Sequence, residues 1–210
     1  MAYVNMEYRR FRYSNSFYWP RSIRSLGCYG LRGIKSIGIE ICDRNRSLWQ
    51  FSEILQIDDL VIADNAVVSD GTSKEYSNEL YVEPSKVLLD LTKEILKRES
   101  QDSKKACVWT TDALYRESIE KMKMWSKRGT ECVNMETGTF YTVARELEIE
   151  SIYFGFILDL IHTEKWTGWG SLDDELKSKA GNIRSNLVMV EDLAVELARE
   201  IKNRFARVCD

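Results

Sequence analysis

The sequence predicts an α/β domain built on a mostly parallel sheet, and three observations lead to this prediction. The 210 residues are 44% hydrophobic and 30% charged, a composition typical of one folded domain or two small ones. Only eleven glycines and two prolines are present, which argues against a disordered or low-complexity chain. From Phe51 onward, short apolar runs alternate with amphipathic stretches, and strands that alternate with helices are typical of a parallel sheet.

The first predicted elements lie between residues 60 and 110. Residues 60–63 and 66–68 are runs of β-branched and small apolar residues, which indicates strand. Pro84 stands where a helix begins, and residues 85–98 carry apolar side chains at helical spacing along one face. Residues 106–110 form a short apolar run ending in threonine, as expected of a buried strand.

The remaining elements follow the same alternation. Residues 114–127 predict a helix that ends before Gly129, residues 131–134 a short strand, and residues 135–148 another helix. Residues 152–158 are almost wholly apolar, which is typical of a central parallel strand. Two more helices are predicted, at 172–179 and at 187–206, the second long and amphipathic.

Composition also excludes several classes of protein. No apolar run approaches the roughly 18 residues that span a bilayer, and the first residues have no apolar core, so neither a membrane span nor a secretory signal is expected. Five cysteines without paired spacing predict free thiols in a reducing cytoplasm. The net charge of −3 argues against a protein built mainly to hold nucleic acid.

Polar residues follow three of the predicted strands. Thr110, Thr111 and Asp112 come after one strand, Met135 and Glu136 after the next, and Asp159 closes the run 152–158. Each has an ordinary structural role when taken alone, because carboxylates also cap helices or lie in first helical turns. Ligands of open parallel sheets bind beyond the carboxyl ends of the strands, so three such ends together indicate a binding site.

These residues lie in segments that resemble the nucleoside phosphorylase superfamily of purine nucleoside and uridine phosphorylases. The segments are LQIDDLVIADNAVVSDGTSKEY, CVWTTDALYRES and CVNMETGTFYTVARELEIESIYFGFILD, and the resemblance covers about residues 51–205. It implies a three-layer α/β/α fold and cleavage of the N-glycosidic bond of a nucleoside, with phosphate as co-substrate, no other cofactor, and assembly into dimers and hexamers. Hydrolysis of the same bond is the alternative reaction.

The resemblance also assigns roles to residues by position. Asp159 is expected to protonate the leaving base, Glu136 to hydrogen-bond the ribose hydroxyls, and Met135 to pack on the sugar. The implied base pocket consists of Thr110, Thr111, Leu114 and Tyr115.

This sequence departs from the family pattern at several positions. Asn134 stands where many members carry a glutamate, and Leu158 replaces the usual serine. The glutamine and arginine that recognise uracil are replaced near Ser118 and Glu120, so a purine nucleoside is the expected substrate.

Residues 1–50 differ from the rest of the chain. They carry nine Lys or Arg residues against three Asp or Glu, a net charge of +6 that leaves −9 for residues 51–210, and they show no period of strand or helix. Codons at Trp19-Pro20 and at Trp49-Gln50, read one nucleotide later, force glycine where the family has motif glycines. We therefore predict a boundary at residue 50, with residues 1–50 largely an out-of-frame translation and the first strands of the fold missing or altered. No phosphate site can then be assigned, and little or no activity is expected of the chain as translated.

Residues 1–50 are also compatible with a natural basic extension, a divergent domain or a nucleic-acid-binding arm, since arginine pairs with phosphate and aromatic side chains stack on bases. A non-catalytic nucleoside-binding protein is a further alternative. His162 is the only histidine, so no site with several histidines is expected, and no metal site is predicted. Residues 165–169 are interpreted as an aromatic flap, and Cys107 and Cys132 as core residues rather than nucleophiles.

Overall fold

The computed structural model describes residues 23–26, 37–41, 48–50, 54–161, 166–167 and 183–206, with the side chains of residues 54–157 and 188–204. The strands are β1 (Ile23–Leu26), β2 (Ile37–Ile41), β3 (Leu48–Gln50), β4 (Leu60–Val68), β5 (Tyr81–Val82), β6 (Lys104–Thr110), β7 (Thr130–Asn134), β8 (Glu150–Ile161) and β9 (Trp166–Thr167). The helices are α1 (Gly71–Lys74), α2 (Lys86–Arg98), α3 (Ile119–Ser126), α4 (Thr137–Glu146) and α5 (Ile183–Ala206).

The strands form one mixed sheet in which β4, β6 and β7 run parallel. The long strand β8 is parallel to β2 and β3 and antiparallel to β4, so the path β8–β3–β7–β6–β4 returns to β8 and closes a ring. The predicted fold class, helices on both sides of a mixed sheet with parallel strands at its centre, is confirmed.

Alternation along β4 divides the core between the two faces of the sheet. Leu60 and Ile62 face α2 and α5, whereas Val61 and Ala63 belong to the cluster that contains Tyr141 of α4. A third cluster packs α3 onto the sheet through Trp125, whose ring centroid lies 6.2 Å from that of Trp109. The helices therefore fix the ends of β4, β6 and β7 relative to one another.

Most of the predicted elements lie within a few residues of their predicted bounds, but two predictions divide the elements differently from the structure. Residues 60–63 and 66–68 belong to one strand, β4, whose pairing with β6 shifts register between Ala63 and Asn65. The helix predicted over residues 114–127 is a 3-10 turn, Leu114–Arg116, followed by α3, because the Ser118 hydroxyl accepts the Lys121 N–H and caps a new helix there.

Residues 1–50 contribute β1, β2 and β3 to the sheet, although their sequence shows no strand period. Strand β2 pairs with β8, and β3 lies between β7 and β8. The pairing does not bear on the reading frame, which stays a prediction. The helix predicted at 172–179 and His162 lie outside the described residues, and of the predicted flap only Trp166 and Thr167 are described, as β9.

Candidate active site at the ends of three parallel strands

The carboxyl ends of β4, β6 and β7 meet at one edge of the sheet because the three strands are parallel. Hydrogen bonds that involve backbone groups join these strand ends. Asp112, after β6, accepts a hydrogen bond from the N–H of Gly71, after β4, over 2.8 Å. The N–H of Thr111 donates to the carbonyl of Asn134 at the end of β7, over 3.0 Å. The strand ends that precede Thr111–Asp112 and Met135–Glu136 are therefore neighbours at this edge.

Asn134 anchors the first turn of α4. Its Oδ1 accepts the N–H groups of Glu136 and Thr137, at 3.3 and 3.2 Å, and its Nδ2 donates to the Thr137 hydroxyl at 2.7 Å. Asn134 is buried, and glutamate could not supply the amide donor of this arrangement. The departure at Asn134 therefore has a structural consequence, since the amide caps the helix that carries Glu136.

Gly138 packs α4 tightly against β6. Its N–H donates to the Thr110 hydroxyl over 2.7 Å, and a Cβ on Gly138 would lie 3.0 Å from that same hydroxyl oxygen. Thr110 is fully buried, so its hydroxyl serves this contact. Thr111 is also buried, and its hydroxyl accepts the N–H of Ala113. Both threonines predicted to bind the base therefore lie at the strand ends, and a backbone amide donates to the hydroxyl of each.

Glu136 and Met135 form the open side of the cluster. Met135 is 41% exposed, and Glu136 is half-buried at the N-cap position of α4. The Glu136 Oε2 accepts the N–H of Met135 over 3.1 Å. The two residues predicted to bind ribose are thus adjacent, accessible to a ligand, and held by the capped end of a helix.

Leu114 and Tyr115 do not join this cluster within the chain. Leu114 is 38% exposed and Tyr115 is 98% exposed, in the 3-10 turn that follows Asp112. The structure therefore brings four of the predicted site residues together at the strand ends and leaves these two facing outward.

Asp159 approaches the site from a different direction than predicted. It lies inside β8, which continues to Ile161, so the prediction that Asp159 ends its strand is wrong. The strand is parallel to β2 and β3, as predicted, but it is antiparallel to β4. Its backbone pairs with Trp49, and Trp49 pairs with Val133, two residues before Met135. Two interstrand spacings of about 5 Å place the Asp159 backbone about 10 Å from that of Val133. The Asp159 side chain lies outside the described ones.

A buried carboxylate, Asp70, was not predicted from the sequence. It follows β4, is 1% exposed, and accepts hydrogen bonds from the N–H and hydroxyl of Ser73 and from the hydroxyl of Thr139. The signal that could have revealed it is the spacing of Asp70 and Ser73, which is that of a helix N-cap.

Glu117 lies between the 3-10 turn and α3 with its carboxyl turned inward. Its Oε1 is buried and has no hydrogen-bond partner among the described residues. Burial raises the pKa of Glu117 to about 7, because the charged form loses its hydration.

Glu117→Gln is expected to remove a pH dependence of stability. A raised carboxyl pKa means that the folded chain holds a proton between about pH 4.5 and 7 that the unfolded chain releases, so the free energy of unfolding falls as pH rises through this window. Allowing for partial exposure, the variant should be about 1–2 kcal/mol more stable than the parent at pH 8 and little changed at pH 5. Urea denaturation at the two pH values measures this.

The control for Glu117→Gln is Glu75→Gln, which removes an exposed carboxylate and should keep the parental pH profile. Equal stabilities of parent and Glu117→Gln at pH 8 would show that Glu117 is hydrated in the folded chain.

The cysteines near the cluster are not poised as nucleophiles. Burial raises the pKa of Cys107 to about 11 and the pKa of Cys132 well above its ordinary value, so both are thiols at neutral pH. Both are free, as predicted. No group of three or more His, Cys, Asp or Glu in the described part of the chain is placed to hold a metal ion. No helix among the described residues is long and apolar enough to span a membrane.

A polar cavity of about 440 Å³ lies beside the C-terminal half of α4, away from Glu136. It is lined by Glu83, Ser85, Tyr141, Arg145, Glu148, Ile149, Glu150 and Ser151. None of the predicted site residues lines it.

A sequence model described as the phosphorylase superfamily matches residues 50–188. The chain is 26% identical over 147 residues to a purine nucleoside phosphorylase, DeoD-type, from Clostridium perfringens, which covers 69% of this chain. The match spans 63% of the length of that relative.

Two solved structures have the same fold. Uridine phosphorylase from Vibrio fischeri superposes with a TM-score of 0.59 at 20% identity, over 72% of this chain and 60% of its own. AMP nucleosidase from Bacteroides thetaiotaomicron gives a TM-score of 0.56 at 18% identity, over 75% of this chain and 60% of its own.

Proposed function

The chain belongs to the phosphorylase superfamily, and from this membership we propose that it cleaves the N-glycosidic bond of purine nucleosides in the cytoplasm, in nucleotide salvage. The proposed reaction uses phosphate and yields the free base and ribose 1-phosphate. The single observation that carries the proposal is the accessible pair Met135–Glu136, held against the ends of β6 and β7 by Thr110 and Asn134.

The proposed chemistry divides between two carboxyl groups. As the bond breaks, negative charge grows on the departing purine and positive charge on the sugar. Asp159 in its acid form would give a proton to a purine nitrogen, and this interaction stabilises the transition state more than the bound nucleoside. Glu136 as carboxylate would accept hydrogen bonds from the ribose hydroxyls, which strengthen as the sugar becomes cationic.

The proposed base site lies beside Thr111 and extends to Leu114 and Tyr115. Purine is favoured over uracil because Ser118 and Glu120 stand near the positions where uracil-binding relatives are expected to carry glutamine and arginine. The hydroxyls of Thr110 and Thr111 are already bonded within the chain and both residues are buried, so they would support the base site from within the protein.

Hydrolysis is the second candidate reaction, and the capping of α4 favours it. Helix N-termini bind phosphate through free backbone amides. In α4, the amides of Thr137 and Gly138 already donate to Asn134 and Thr110. Phosphate would therefore need groups elsewhere, and water needs none of them.

Release of free base, measured by chromatography, tests the proposal and separates the two reactions. Adenosine, inosine, guanosine and uridine are supplied with and without phosphate to this chain and to a form with the alternative reading frame restored upstream of Phe51. Phosphate-dependent release from purine nucleosides is expected, with the restored form much faster. Release without phosphate would identify a nucleosidase, and binding without release by either form would contradict the proposed enzyme.

We also propose that the chain forms homo-oligomers, dimers or hexamers, through the outward face of the base site. Tyr115 is 98% exposed and its neighbour Leu114 is 38% exposed, so a pocket built on them is incomplete within one chain. Sedimentation equilibrium should give a multiple of 24.5 kDa, and a monomeric mass at micromolar concentration would contradict it.

A further inference from the structure

Asp70 is a buried carboxylate for which the proposed chemistry has no direct use. Burying a carboxylate costs free energy unless its oxygens are hydrogen-bonded. One oxygen of Asp70 accepts the Ser73 N–H at 2.7 Å and the Thr139 hydroxyl at 2.8 Å, and the other accepts the Ser73 hydroxyl at 2.7 Å. The carboxylate is thus fully engaged between the end of β4 and helix α4.

Its partner Thr139 lies in the first turn of α4, three residues after Glu136. The same turn is held from β7 by Asn134 and from β6 by Thr110. Gly138 leaves no room for the helix to move toward β6, since even a methyl group there would be 3.0 Å from Thr110. The contact between Asp70 and Thr139 links the same turn to the end of β4, the third strand. It restrains movement of α4 away from the strand ends.

We propose that Asp70 is a positioning residue that acts through Thr139 to hold Glu136 in place for the ribose. This inference rests on the proposed function, because it assigns Asp70 a part in the same site. Small displacements of a group that must meet its substrate in one geometry reduce the rate strongly, whereas they change ground-state binding less. Asp70 therefore affects kcat more than KM.

The variants Thr139→Val and Thr139→Ser test this role on the same helical position. Valine has the shape of threonine without the hydroxyl, and serine keeps the hydroxyl. In the full chain with the reading frame restored, Thr139→Val is expected to lower kcat for a purine nucleoside about 10-fold with KM within about twofold, and Thr139→Ser to restore most of it. Hydrogen exchange of the amides of residues 136–140 should be faster in Thr139→Val alone.

Asp70→Asn is a second variant and is expected to reproduce the effects of Thr139→Val. Unchanged kcat in folded Thr139→Val, or an equal loss in Thr139→Ser, would overturn the positioning role. If the parent protein releases no base at all, the proposed function fails, and hydrogen exchange of residues 136–140 alone tests whether Asp70 holds the turn. Faster exchange in Thr139→Val that Thr139→Ser restores would support Asp70 as the residue that holds the turn, and equal exchange in all forms would overturn it.

Discussion

Glu136→Gln is expected to remove most base release while leaving the chain folded. The carboxylate is half-buried at the capped start of α4, where hydrogen bonds to ribose hydroxyls would be charge-assisted. Such bonds are each worth about 1.5–3 kcal/mol, and they strengthen as positive charge grows on the sugar. The expected loss in kcat/KM is therefore about 100-fold, measured as base released from a purine nucleoside.

The glutamine variant should keep its fold because an amide oxygen can still accept the N–H of Met135, which Glu136 accepts over 3.1 Å. Glu146→Gln is the matched control, since it makes the same change at an exposed position of the same helix and should leave kcat/KM within about twofold. Wild-type activity in Glu136→Gln would remove Glu136 from the ribose site. The affinity for the nucleoside, measured by calorimetry, should also fall, but by less than kcat/KM, because the hydrogen bonds are weaker before charge grows on the sugar.

Local pattern was sufficient to predict the elements that build the site. The apolar run before Thr110 and the run before Asn134 are parallel neighbours in the sheet, so the residues that follow them had to meet at one edge. The direction of β8 was beyond such reasoning. Its 12 residues pair with β2, β3, β4 and β9, and pairing direction depends on partners far apart in sequence, which an apolar run does not encode.

Sequence analysis missed features of the site that lie in short elements or that depend on which side chains are exposed. Helix α1 has four residues, too few to show a helical period, so the burial of Asp70 beside it was not expected. Tyr115 follows a buried strand, and an aromatic side chain at that place is compatible with the wall of a pocket. In the structure it is 98% exposed. Burial of a single aromatic side chain is decided by what packs over it, and the neighbouring sequence does not specify that.

Tyr141→Phe is expected to destabilise the protein at the junction of β4 and β8, which closes the ring of strands. The antiparallel pairing of β4 with β8 ends at Ile62 and Phe154. One residue further along, the buried Tyr141 hydroxyl takes the place of direct pairing, since it donates to the Ala63 carbonyl at 2.7 Å and accepts the Tyr153 N–H at 2.9 Å. Helix α4, which begins beside Glu136, is thereby fastened to both strands.

The phenylalanine variant keeps the packing of the aromatic side chain and removes both hydrogen bonds of the hydroxyl at a fully buried position. Losing a partner costs a buried backbone group about 1–3 kcal/mol, so the free energy of unfolding should fall by about 2–4 kcal/mol in urea denaturation. Tyr76→Phe makes the same change at a side chain that is 48% exposed and should stay within about 0.5 kcal/mol of the parent. A loss below about 1 kcal/mol in Tyr141→Phe would contradict this role of the hydroxyl. It would mean that β4 and β8 pair directly beyond Ile62 and Phe154 in the variant.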